Sequence, residues 1–507
     1  MQELSHSRTK SFFVNFVSTF FFQITATIVG FIIPMFVLKI YGAEVFGFST
    51  SVMAVVGGIN LLEIGLGAGL IQALYKPIHE KKINQVNGIL AHAQSYYLKS
   101  GAIVFISSIV IALVYSLTNK QGVDFITLLS LSVTLLLGSV FEYLIIGKYR
   151  VLLTADEKVG VLVNIQTIAL FISSTVRISM MFLGFGVVLM QIVATAVYIL
   201  RAVIIAAYVK RKYPHSTFSG AKSDVRIENS SVVLHNISNL VVLNTPFLLL
   251  LIFTDLSTTS VYAVYAIVFN AVSSILYSMF SQAAVASFGK VAASGDKDSL
   301  RASFNLFEFI FSIVLFVVYI TTSSLIIDFA NLYYPGIKAL PFALPLISVL
   351  ITVAGILFSF RYPLVTLVQA DGHFKETKKS VVIEMFLMVS ISMMGVVAFG
   401  IYGVFIGMIV SAGYRAIHLI WYVNIKILQQ SALNSIRRLL VNSIAAVIVL
   451  IYLNNNNIFD IKGWFELIFC GIIQAIIILV IFIIANFSIE PKMFKALAAL
   501  FRQIIRK

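Results

Sequence analysis

Eight ionisable residues interrupt the apolar stretches of this sequence: Glu63, Glu142, Arg177, Arg201, Glu308, Arg361, Glu384 and Arg415. An ionisable group at the centre of a membrane helix costs a few kcal/mol, so such residues turn toward a cavity or a partner. The arginines carry planar forks that match phosphate and pyrophosphate oxygens, and the carboxylates can hold a proton or a small cation. Arg201 and Arg415 lie in matched contexts. Arg201-Ala202, five residues, then Tyr208-Val209 recurs as Arg415-Ala416, five residues, then Tyr422-Val423. If both face one cleft, they converge on an anion, and Arg177 and Arg361 extend the candidate substrate-binding set. The competing reading is that each arginine snorkels to the interface or pairs with a glutamate for structure.

Glu63, Glu308, His92 and Glu142 are the candidates for ion coupling. Glu63 lies in Leu62-Glu63-Ile64-Gly65-Leu66-Gly67, where glycines permit close helix approach or a bend. A buried carboxylate beside such backbone suits a coupling proton or Na⁺, and helix packing around a satisfied glutamate suits the same residues equally. His92 and Glu308 map onto one another at an offset of 216, which offers a protonation site but favours a structural contact.

Other chemistries lack their residues. No G-x-x-x-x-G-K-[ST] loop is present, because the glycine and Gly-Lys between Gly138 and Lys148 have the wrong spacing. The seven histidines form no H-E-x-x-H, no G-x-S-x-G elbow occurs, and Cys470 stands alone in an apolar run. No cofactor, metal site or disulfide is expected.

The elements that must carry these residues are membrane helices. The 507 residues are 60% apolar and 11% charged, with a mean hydropathy of +0.99, an all-α integral membrane composition. The apolar run from Phe12 to Leu38 is too long for the core of a cleavable leader. Windows near 12–38, 45–74, 90–118, 125–147, 159–183, 187–209, 230–253, 258–288, 302–327, 339–366, 380–399, 401–425, 435–453 and 463–487 predict about fourteen spans. The net charge of +15 is spread over short connectors, which predicts no nucleic-acid partner. With the N-terminus inside, 27 of the 36 Lys and Arg fall in cytoplasmic connectors and tails. Only Lys39, Lys120, Lys338 and Lys462 fall outside, so both termini are expected in the cytoplasm.

The Arg-Ala repeat belongs to a longer series. Phe185-Gly186 recurs as Phe399-Gly400, Ala155-Asp156 as Ala370-Asp371, and Val45-Phe46 as Val261-Tyr262, at offsets of 214 to 216. Matches in order and at nearly one offset predict a duplication. An even number of spans per copy relates the copies by a pseudo-two-fold along the membrane normal. The expected domains are an N-lobe of six helices over 1–209, a cytoplasmic linker over 210–229, a C-lobe over 230–426, and two further helices with a basic tail over 427–507. Beyond Pro491 the spacing of Phe494, Leu497, Phe501 and Ile504 predicts an amphipathic helix on membrane lipid.

Glu63 to Gly67, the preceding Tyr41-Gly42 and Phe46-Gly47, the turns at Ala155 and Ala370, and the six-plus-six-plus-two layout together resemble Wzx-type flippases of lipid-linked oligosaccharides, in the multidrug, oligosaccharidyl-lipid and polysaccharide exporter superfamily. The resemblance implies a non-enzymatic secondary transporter of the bacterial inner membrane. Its cargo would be an undecaprenyl-pyrophosphate-linked oligosaccharide, flipped to the outer leaflet for O-antigen (lipopolysaccharide), capsule or exopolysaccharide assembly. It further implies alternating access around a cationic cavity, H⁺ or Na⁺ as coupling ion, and a polysaccharide polymerase and chain-length regulator as partners. A lipid II flippase and a multidrug exporter remain alternatives in the same superfamily. The lipid II branch leads one to expect arginines inside the first two spans, and none occurs there. A polymerase or ligase needs a sizeable outer loop, which this sequence lacks.

Overall fold

The computed structural model describes residues 2–59, 70–71, 73–75, 77–78, 80, 82–118, 124–156, 158–218, 230–293, 295–334, 345–455 and 461–505. Glu63 and much of the 210–229 connector lie outside these residues. Among the described residues all regular structure is helical, and eleven helices are long and apolar enough to cross a membrane. Their outward faces carry large apolar side chains such as Phe386, Val397, Ile417 and Phe465. Apolar surface on that scale belongs against lipid. The chain is a multi-pass membrane protein. It divides into two compact units, residues 1–251 with 255–260 and residues 252–254 with 261–507.

The first unit contains α1 (Gln2–Ile59), α2 (Ile83–Thr118), α3 (Phe125–Phe141), α4 (Gly147–Ala155), α5 (Val159–Phe182), α6 (Val187–Lys212) and most of α7 (Ser230–Phe253). The first expected span and the start of the second fall within one element bent at Gly42, whose φ of 87° is open to glycine and strained for other residues. Pro34 breaks the hydrogen-bond ladder of the same helix further up. A π-helical turn, Glu142–Ile146, joins α3 to α4. Below it lies an apolar core of Leu90, Tyr97, Tyr143, Leu153 and Ala202, in which Gly147 leaves room for the Tyr97 ring.

In the second unit follow most of α8 (Leu256–Leu276), then α9 (Ala283–Ala293), α10 (Lys297–Tyr333), α11 (Pro345–Phe360), α12 (Tyr362–Ala370), α13 (Lys378–Phe399), α14 (Ile401–Trp421), α15 (Leu433–Asn455), α16 (Trp464–Ile489) and α17 (Pro491–Ile505). Further π turns lie at Tyr277–Gln282 and Tyr422–Ile427. The α13–α14 hairpin turns at Gly400 (φ 58°), and its backbones meet at Gly395 and Gly403, where a Cβ on either would strike the other helix. With no hydrophobic drive between helices in lipid, such close backbone approach supplies the packing energy. Phe304, Phe309, Phe311, Phe316 and Phe360 fill the centre of this unit. The amphipathic α17 docks through Phe494 against Phe309 and Phe487, with Lys492 and Lys495 exposed.

Candidate functional site

One face of α6 carries Gln191, Thr195, Tyr198 and Arg201 at spacings of four, three and three, a polar stripe about 15 Å long at the rise of an α-helix. Thr195 donates to the Thr134 carbonyl at 3.0 Å and so ties the stripe to α3. The Arg201 guanidinium lies 5.3 Å from the centre of the Tyr198 ring. Its Nη2 donates to Oε2 of Glu142, while Oε1 of the same carboxylate accepts from Nη2 of Arg150. Glu142 is thus shared by two cations, one on each oxygen.

Gln191, Thr195, Tyr198, Arg201 and Glu142 line a cavity of about 700 Å³ inside the first unit, together with Arg177 from α5 and the amides of Gln166 and Asn244. Arg177 and Arg201 each hold a buried Nε–H with no acceptor among the described residues. Glu142 is the single carboxylate among the lining residues, against two arginines, so the cavity is cationic. Unspent guanidinium donors in a concave, partly desolvated site are what an oxyanion requires.

The second unit gathers its own charges differently. Glu384 of α13 accepts from Arg361, at the α11–α12 junction, and its other oxygen lies 3.6 Å from Nε of Arg415 on α14. Arg415 also donates to the Ser380 hydroxyl. All three charged residues are at most 3% exposed. Glu308 is equally enclosed: Arg438 donates to it at 2.7 Å and Ser435 at 2.8 Å, and Arg438 also grips Glu490 at 3.1 and 2.8 Å. Burial alone would raise the Glu490 carboxyl, but hydrogen bonds and attraction from Arg438 and Arg437 hold it below the usual carboxylate range.

No family model matches the chain, and no curated protein matches it in sequence. Solved structures do match. An inward-facing multidrug resistance MATE family transporter of the MOP superfamily aligns with a TM-score of 0.63 and 15% identity, over 78% of this chain and 93% of that one. The lipid II flippase MurJ, in an inward closed conformation, aligns at 0.61 and 14% over 95% of this chain and all of that one. The chain has the fold of MOP-superfamily transporters. A MATE in the straight conformation follows at 0.52 and 16%, over 79% and 92%.

Within this transporter fold, the sequence-predicted residues sort into separate places. Glu142, Arg177 and Arg201 share the first-unit cavity. Arg361 and Arg415 meet at Glu384, and Glu308 joins Arg438. His92 is half-buried on α2, with no hydrogen bond or ion pair among the described residues. Two arginines outside the sequence-predicted set join these groups. Arg150 lies in α4 against Glu142, and Arg438 is buried in α15. Eight residues of α-helix would leave Arg150 about 80° around the axis from Glu142. The π turn absorbs one residue and brings the two onto one face, a step that helical periodicity cannot signal.

Proposed function

We propose that this chain is a secondary transporter that flips an undecaprenyl-pyrophosphate-linked oligosaccharide from the cytoplasmic to the outer leaflet of the bacterial inner membrane, for surface-polysaccharide assembly, by alternating access. The observation that carries this reading is the cationic cavity of the first unit, where Arg177 and Arg201 present unspent guanidinium donors beside a set of amides. Guanidinium forks suit a pyrophosphate, and amide and hydroxyl side chains suit sugar hydroxyls. The fold likeness to transporters supports the transport class, and the absence of a phosphate-loop motif from the sequence supports a gradient as the energy source. Glu63, Glu308 and His92 are the proposed coupling residues, and Glu142, the fourth candidate, instead holds Arg150 and Arg201 at the cavity. In this reading Arg177 and Arg201 contact the anionic cargo, and Arg361 and Arg415 serve the same transport cycle by fixing Glu384.

Deleting the gene in its host tests the assignment. The expected result is an undecaprenyl-linked repeat unit accumulating on the inner leaflet while surface polysaccharide is lost. Accumulation of lipid II with arrested growth would move the cargo to peptidoglycan precursor. Sensitivity to cationic drugs with glycans unchanged would make the chain a drug exporter.

A further inference from the structure

Arg201 cannot serve an incoming anion freely while Glu142 holds it, and the position of Arg150 bears on how that conflict is relieved. Glu142 opens the π turn and reaches both guanidiniums at once, Arg150 on Oε1 and Arg201 on Oε2. Resting on the reading of this cavity as an anion receptor, we propose that Arg150 is a positioning residue that takes over Glu142 when a phosphate-class anion binds Arg201, so that binding requires no proton.

The charges make the case. A dianion on Arg201 repels the Glu142 carboxylate. A carboxylate in a water-poor site must then keep a cation or take a proton. Arg150 is already in contact, so Glu142 withdraws onto it with every protonation state unchanged. The Arg201 Nε–H, which has no acceptor among the described residues, and the Nη2 that leaves Glu142 both become available to the anion.

Among the described residues, Glu142 pairs with no cation besides Arg150 and Arg201. Lys148 on α4 is committed to Gln94 at 3.4 Å and lies over the rings of Tyr149 and Phe218. From α2 the π turn meets Tyr97, packed on Tyr143, while Lys99 is exposed and His92 half-buried. On α6 the neighbour is Tyr198, beneath Arg201. Arg177 comes from α5 into the same cavity and is a second place for an anion.

Sulfate, whose charge is constant near neutral pH, is the probe. Titration calorimetry of the full-length protein in two buffers of different ionisation enthalpy reads the protons taken up per sulfate bound. Wild type should take up none. Arg150→Gln strands Glu142 and should take up about one, with apparent affinity falling up to about tenfold per pH unit. Uptake should return to zero in Arg150→Lys and in the Arg150→Gln/Glu142→Gln double variant. Should Arg150→Gln fail to fold, Glu142→Gln alone carries the test: with its competitor gone, Arg201 should bind sulfate about tenfold more tightly, and weaker binding would overturn the proposal. Equal uptake in wild type and Arg150→Gln overturns it, as does an absence of sulfate binding in wild type. Neither result bears on the precursor that accumulates in the deletion strain, so the exchanger and the flippase reading fail separately.

Discussion

At the scale of single residues, the two units surround their arginines differently. Arg177 holds a buried Nε–H without an acceptor and has no carboxylate partner among the described residues. Its charge is a cost to the fold, which a protein retains where function needs it. Arg415 and Arg361 enclose Glu384, and removing either leaves a buried carboxylate short of a cation. Breaking a buried pair typically costs about 3–5 kcal/mol. If the proposed function holds, Arg177→Ala should therefore abolish polysaccharide export while thermal stability in detergent stays level or rises. Arg415→Ala should lose several degrees of melting temperature and most of its membrane abundance. The paired measurement is export alongside thermal unfolding of the purified variants. A stable, export-deficient Arg415→Ala, or an unstable Arg177→Ala, would reverse the roles assigned here.

At the scale of elements, many helix limits were legible in the sequence. The expected span 159–183 is α5 at Val159–Phe182, 187–209 lies inside α6, and 401–425 matches α14 with its π turn. Hydropathy reports such limits because a bilayer imposes one length on every span. The π turns were hidden, since one inserted residue leaves no compositional trace, and with them the Glu142–Arg150 pairing. Arg438 was hidden for another reason: local sequence cannot show that Glu308 and Glu490 approach from helices far along the chain. That last contact ties the root of α17 to α10 and α15. The folded Glu490 carboxyl lies below its ordinary value of about 4.3. A depressed acid stabilises the fold above its unfolded value and loses that contribution as pH falls through the folded one. The difference in melting temperature between wild type and Glu490→Gln should be largest near neutrality and should shrink below about pH 4. A difference that is constant down to acid pH would show that Glu490 acts by shape and not by charge.

At the scale of the whole molecule, the number of crossings decides on which side the termini lie. Eleven helices meet the length and hydropathy of a span among the described residues. Three expected spans are not among these eleven. The second shares α1 with the first across the Gly42 bend and runs on beyond the described residues. The third lies in α2, whose residues from Ser100 to Thr118 are uncharged. The seventh lies in α7, of which Ile237–Phe253 is the apolar segment among the described residues. If all three cross, the count is even and both termini share a side; if one does not, every connector after it is inverted. The distribution of Lys and Arg favours the even count, because short connectors rich in these residues stay in the cytoplasm. Truncations fused to alkaline phosphatase, which is active only outside the cytoplasmic membrane, read the parity directly. Fusions after Phe185 and Lys462 should be active, and fusions after Phe218 and Lys507 inactive. An active fusion at Phe218 would remove a span from the first six. Inactivity at Phe218 with activity at Lys507 would remove one from the later part of the chain, and the cytoplasmic placement of the basic α17 would fall with it.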